Sequence, residues 1–283
     1  MLHVPSVAQM MVSAYSIASA TSRLPFAAVV AHPRISVNSI SSLRQPFADD
    51  VALWSELGIT HVGLISPKLD AAGWDTSRRL VLDAGLRVSS LSAFLEEPVD
   101  WEFATAVDCD LLYTVSGGGG MAPWENAAAH FCEAIQPWTT RAAEAGVRLA
   151  VEPTNPLRSD VSFVHSLRDA IDLARMAGIG VVVDFYSCWY ERGLDELVRE
   201  NVDLVELVQM NDFKLGTFDM PNRVAIGDGD LPVERLLAMV LDAGYQGPFD
   251  LEIIGPVIEE EGYRAPIMRS VERASEMLER LGA

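Results

Sequence analysis

Ala145-Gly146-Val147-Arg148-Leu149-Ala150-Val151-Glu152-Pro153 changes character at its second residue. Before Gly146 the chain follows a helical pattern; after it comes a short apolar, β-branched run ending in an acid. Glycine suits the left-handed residue just past a helix C-terminus, so the stretch reads as helix stop, tight turn and strand start. The same junction recurs at Leu57-Gly58, Ala84-Gly85, Ala177-Gly178 and Ala243-Gly244.

Filling the gaps predicts strands near 34–38, 60–65, 87–92, 109–115, 147–152, 179–184, 203–209 and 248–254. Helical patterns lie near 47–57, 73–84, 100–107, 125–145, 165–177, 194–201, 232–243 and 264–281. Strict alternation argues for a parallel sheet with helices outside, and eight units in about 250 residues match a closed (β/α)8 barrel. An open doubly wound sheet is the runner-up, but Asn38-Ser39-Ile40-Ser41-Ser42 after the first strand lacks the phosphate-binding glycines of that fold. Gly117-Gly118-Gly119-Gly120 has neither a P-loop Lys nor dinucleotide spacing and reads as a flexible loop over the barrel mouth.

The chain has 283 residues, 49% hydrophobic and 22% charged, which places it among folded globular proteins. No Pro-rich linker or composition break divides it, so one domain is expected over 34–283, with 1–33 as an N-terminal extension. Forty acidic against 21 basic residues give a formal charge of -19, which argues against general nucleic-acid or membrane-surface binding. Three widely spaced cysteines, Cys109, Cys132 and Cys188, fit neither a disulfide framework nor a zinc ribbon and point to a reduced, cytoplasmic compartment. Ala18-Ser19-Ala20 resembles a signal cleavage site, but no Lys or Arg precedes Arg23 to form a basic leader, so an extra helix or extension is the simpler reading.

Active sites of such barrels gather at the C-terminal strand ends. Four consecutive strands end in polar residues that apolar packing does not explain: Glu152, Asp184, Gln209 and Glu252. Three converging carboxylates repel unless a cation neutralises them, and a divalent metal is the economical answer. The all-oxygen set with one amide suits Mg2+ or Mn2+ better than a thiolate-selecting ion, with Zn2+ or Co2+ also admissible. The alternative is that individual acids merely bond loop backbone.

These residues resemble a family. Val151-Glu152-Pro153-Thr154-Asn155, Asp184, Gln209-Met210-Asn211-Asp212, Arg223 with Gly227-Asp228-Gly229-Asp230, and Leu251-Glu252 are similar to the xylose isomerase-like TIM barrels. That superfamily holds sugar and sugar-phosphate isomerases and epimerases, inosose dehydratases and type IV endonucleases. The resemblance implies a metal held by Glu152, Asp184, Gln209 and Glu252, with Glu152 and Glu252 also acting as acid and base on a chelated α-hydroxy ketone or related sugar. Two departures stand out. Gln209 replaces the more usual His ligand, as in hydroxypyruvate isomerase-like members, and Asp184 is followed by Phe185-Tyr186-Ser187 where the family usually reads Asp-x-x-His.

Five histidines (His3, His32, His61, His130 and His165) are too few and too scattered for the zinc cluster of the endonucleases. His165 reads either as a substrate contact or as a capping residue. Arg223 reads as a substrate clamp or as the partner of Asp228 or Asp230. Lys68 would supply a cation near substrate or stand on the surface; Tyr113, Trp124, Tyr186 and Trp189 would wall a sugar ring or pack beneath loops.

The function expected is a divalent-metal-dependent isomerase or epimerase of a ketose or related carbonyl sugar, the metal stabilising an enediolate while Glu152 and Glu252 move the proton. A lyase or dehydratase on a keto-sugar, inosose or 3-keto-glycoside begins with the same proton abstraction. A non-catalytic barrel binding a sugar or a partner is the second alternative. The partner expected is a small carbohydrate, and homo-oligomerisation is left open.

Overall fold

Gly58 and Gly178 adopt φ of 74° and 71°, and each donates its N–H back to the helix it ends, Phe47–Leu57 and Leu167–Ala177. Helix stop and strand start thus fall where the sequence places them. The computed structural model describes residues 30–283 except Pro98 and Asp219. The Ala18-Ser19-Ala20 site and most of the expected extension lie outside the described residues.

The strands are β1 (Ile35–Asn38), β2 (His61–Ile65), β3 (Arg87–Ser92), β4 (Leu111–Val115), β5 (Arg148–Glu152), β6 (Gly180–Asp184), β7 (Val205–Met210), β8 (Asp212–Phe213), β9 (Arg223–Val224) and β10 (Phe249–Leu251). Seven of these and β10 close a parallel barrel in the order β1-β10-β7-β6-β5-β4-β3-β2. Strands β8 and β9 form a small antiparallel ribbon in the loop between β7 and β10. The expected (β/α)8 barrel is therefore the fold.

Differences fall on helices. The pattern over 125–145 is two helices, Trp124–Ala134 and Gln136–Ala145, because Pro137 opens the second and lacks the N–H that a continuous helix would use. An additional helix, Ser66–Ala72, precedes Trp74–Asp83. The glycine run after β4 is no loose lid: Gly117 pairs with Ser162, and a Cβ on Gly118 would lie 2.7 Å from the Asp160 carbonyl. Glycine stands there because the β4 and β5 loops pack backbone to backbone.

The main core lies between the strands and the helices, around Trp54, Phe47, Phe103 and Phe185. Inside the barrel, Leu111, Tyr113, Ala150, Val182 and Leu207 form a separate apolar cluster. The other half of the interior is polar, with Ser36, Asn38, Ser90 and Asp250 all buried. That asymmetry sets the floor of the candidate site.

Candidate active site

Glu152 is the last residue of β5, Asp184 the last of β6, Gln209 lies one residue before the end of β7, and Glu252 follows β10. These strands are neighbours around the barrel, and Asp184, Gln209 and Asp250 sit side by side in register. The four side chains are buried on one arc of the mouth, as the sequence predicts.

A fifth buried group joins them. Arg223 on β9 donates through Nη1 to the Glu252 carbonyl (3.1 Å) and carboxylate, and through Nη2 to Asp184 Oδ2 (3.4 Å). Its guanidinium lies 4.8 Å from the centre of the Tyr186 ring. Burial works against its charge, but Glu252, Asp184 and Glu152 outweigh burial and hold it above its ordinary range. The close passage of Pro221–Arg223 beside Gly255, where a Cβ would lie 3.0 Å from the Pro221 carbonyl, makes this placement feasible. The sequence offered Asp228 or Asp230 as partner instead. Asp228 is taken by Arg269 (2.8 Å) and Arg273 (2.6 Å), and Asp230 accepts the Leu215 N–H (2.9 Å).

Burial is the main cause that raises both glutamates. Glu152 is pushed well above the usual carboxylate range by burial and then by Glu252 and Asp184, against Arg223 and Gln209. Glu252 is raised by burial and Asp184 but drawn back by its direct bond to Arg223.

Asp184 is hydrogen-bonded through both oxygens: Oδ1 accepts from Asn211 Nδ2 (2.6 Å) and Tyr186 N (3.1 Å), Oδ2 from Ser187 Oγ (2.7 Å). Ser187, where the family usually has His, therefore bonds the carboxylate. Among the described residues no three His, Cys, Asp or Glu side chains are drawn together as a metal site. Arg223 stands between two of the acids, its two nitrogens on Glu252 and Asp184. Yet three buried oxygens have no hydrogen-bond partner: Glu252 Oε2, Gln209 Oε1 and Asn211 Oδ1. Unpartnered buried acceptors beside three carboxylates and one cation suit a hard divalent ion, so the residues present fit one.

The remaining candidates separate. Tyr113 is in the barrel interior, its hydroxyl 3.1 Å from Gln209 Nε2. Trp189 is half-buried against Phe213 (6.3 Å between ring centres), which also meets Tyr186 (5.0 Å) and so forms an aromatic wall beside Arg223. Trp124 packs on Phe163, away from that wall. Lys68 is buried, not on the surface, and its ammonium is engaged by Asp50 and the carbonyls of Ser39 (3.2 Å) and Ser42 (2.9 Å). The structure does not bring it to the acids. His165 precedes the helix Leu167–Ala177, with Nδ1 3.1 Å from the Thr154 carbonyl and Nε2 3.4 Å from Ser159 Oγ, and so ties the β5 loop to that helix.

Sequence reasoning gave no role to Asn38 or Asp250, quoted Asn211 only as part of a motif and marked Ser187 only as a departure from the family. The period-two run Ile35-Ser36-Val37-Asn38 was the available signal for Asn38. Asp250 is fully buried, bonded by Ser36 Oγ and Asn38 Nδ2 (2.7 Å), and pushed up to about 7, chiefly by burial.

A family model described as xylose isomerase-like TIM barrel matches residues 51–280. The chain belongs to that family. Solved relatives include a Sinorhizobium meliloti protein (23% identity, TM-score 0.75, covering 88% of this chain and 98% of the other). An IolI protein with a bound zinc atom has 14% identity and TM-score 0.74, covering 88% and 99%. The E. coli 3-keto-D-glucoside 4-epimerase YcjR has 15% identity and TM-score 0.63, covering 83% and 97%. No curated protein matches the chain significantly. At such identities the likeness speaks for the fold of this xylose isomerase-like barrel. Among its described residues no helix is long and apolar enough to cross a membrane.

Proposed function

We propose that this barrel is a divalent-metal-dependent isomerase or epimerase of a ketose or related carbonyl sugar. The observation that carries this reading is the pair of buried glutamates, Glu152 and Glu252, at the ends of β5 and β10 with Asp184 and Gln209 between them. Glu152, Asp184, Gln209 and Glu252 would hold the ion. Mn2+ or Mg2+ suits this oxygen set best, Zn2+ or Co2+ remains admissible, and the IolI relative carries zinc. A bound divalent ion would supply Lewis acidity toward the substrate carbonyl.

The chain's own residues then divide the work. Glu152 and Glu252 are the pair suited to take the proton α to the carbonyl and to return one, and Arg223 bonds Glu252 directly. Arg223 orients a substrate oxygen through its donors, and Tyr186, Phe213 and Trp189 cover a ring face. The carbohydrate class agrees with the relative that epimerises a 3-keto-glucoside. The catalytic unit is residues 34–283, in the cytoplasm, with no nucleic-acid or membrane partner.

The test is proton exchange. Incubated in D2O with Mn2+ and an accepted ketose, inosose or keto-glycoside, the protein should exchange the α proton. Glu152→Gln and Glu252→Gln should each slow exchange by about 10²-fold or more. Retained carbon skeleton and oxygens mark an isomerase or epimerase, and an absorbing enone marks a lyase. A panel of such sugars that binds without exchange would overturn catalysis in favour of a binding protein.

A further inference from the structure

Beneath the acids runs a chain of hydrogen bonds whose polarity is fixed at one end. Asn38 Oδ1 accepts the Ile40 N–H at 3.0 Å, so the other end of that amide must be the NH2. Its protons go to Asp250 Oδ2 (2.7 Å) and to the Tyr113 hydroxyl (3.3 Å). Asp250 Oδ1 accepts from Ser36 as well. The Tyr113 oxygen thus accepts from Asn38 and stands 3.1 Å from Gln209 Nε2. What Tyr113 still offers Gln209 is a lone pair.

A carboxamide facing an acceptor turns its nitrogen toward it. Gln209 Nε2 sits 3.1 Å from the Tyr113 hydroxyl, and Gln209 Oε1 is left buried with no partner. The same amide also bonds the Glu152 carboxylate, so the nitrogen meets acceptors on both sides while the oxygen meets none. We propose that Asn38 and Tyr113, anchored by Asp250, are positioning residues that hold the Gln209 carboxamide in the one orientation that leaves its oxygen free as a ligand. This is how an amide can stand where a histidine or carboxylate ligand would need no such sorting. The inference rests on the metal reading above and adds three residues that do not touch the ion.

The test compares Mn2+ affinity, measured from free Mn2+ by electron paramagnetic resonance, for wild type, Tyr113→Phe, Gln209→Glu and the double variant, with melting in EDTA as a folding control. Tyr113→Phe removes the lone pair and should weaken Mn2+ binding by about 10-fold or more, the range found when groups that orient ligands are lost. A carboxylate presents an oxygen whichever way it turns, so in the Gln209→Glu background the same change should cost less than about 3-fold. Asn38→Ala, a second route should Tyr113→Phe fold poorly, should weaken binding in the same direction and be rescued likewise by Gln209→Glu. Equal losses in both backgrounds, or no loss in either, overturn the orienting role while the metal reading stands. Absence of Mn2+ binding by wild type overturns both.

Discussion

One nitrogen of Arg223, Nη1, donates both to the main-chain carbonyl of Glu252 at 3.1 Å and to the carboxylate of the same residue. The carbonyl bond keeps the guanidinium at the strand end whether or not the carboxylate is otherwise engaged. Three buried acids facing one guanidinium leave negative charge for a second cation to meet. Removing one partner of a buried pair leaves the other uncompensated.

Arg223→Gln should therefore lower the stability of metal-free protein by about 3–5 kcal/mol. Mn2+ should raise the melting temperature of the variant more than that of wild type, since it then meets all of the unbalanced charge. Melting curves in EDTA and in Mn2+ measure both quantities. Equal Mn2+ increments in the two proteins would show that Arg223 and the ion do not share these carboxylates.

Glu252→Gln should weaken Mn2+ binding by about 10-fold or more, because an ionised ligand gives way to a neutral one. Glu259 is the control: it lies on the helix Pro256–Glu261 just beyond and pairs at 3.1 Å with Arg44, which is largely exposed. Its Gln variant should bind Mn2+ as wild type does. Metal content after dialysis against buffered Mn2+ decides the matter, and equal content in both variants would place the ion elsewhere.

What was legible in the sequence were the features that repeat. Strand starts follow left-handed glycines, and four consecutive barrel strands carry an acid or amide at or within one residue of their ends, so the barrel and the grouping of these side chains could both be read. Features made by distant partners could not. Arg223 and Glu252 are 29 residues apart and meet only because β9 folds back beside the β10 loop. Lys68 reads as a surface residue until the Ser39–Ser42 turn closes over it. The helix Ser66–Ala72 was hidden by Pro67, which a helix tolerates in its first turn. Asp250 was hidden because a parallel strand buried on both faces lacks the alternation that would mark its inward acid.

The Gly227-Asp228-Gly229-Asp230 segment is organised from Asp212. Asp212 Oδ2 accepts the N–H groups of Gly227 (2.9 Å) and Gly229 (3.0 Å), and Oδ1 those of Leu231 (3.0 Å) and Phe213 (2.9 Å). A Cβ at Gly229 would collide with that carboxylate. Asp212→Ala should cost about 2–4 kcal/mol, as expected when several buried N–H groups lose their acceptor. Because β8 and β9 form the ribbon that carries Arg223, KM for an accepted sugar should rise as well. Urea unfolding and steady-state kinetics test the two effects, and a variant as stable as wild type would show that water or backbone replaces the acceptor.

Asp250 should write a pH dependence into stability. In the folded protein its carboxyl is pushed up to about 7, burial being the largest cause, against about 3.9 for an unperturbed Asp. A raised folded value means the native state holds the proton more tightly than the unfolded chain does. Its contribution is therefore complete below about pH 4 and is lost as pH rises through about 7, where the folded carboxyl ionises. Asn cannot ionise, yet its oxygen can accept from Asn38 and its NH2 can donate to Ser36. Asp250→Asn should remove about 2–4 kcal/mol of the wild-type decline between these pH values. Neighbouring acids such as Glu152 titrate in both proteins, so the difference between their urea-unfolding free energies isolates Asp250. Parallel stability profiles from pH 4 to pH 8 in EDTA would mean that Ser36 and Asn38 stabilise the carboxylate enough to offset burial.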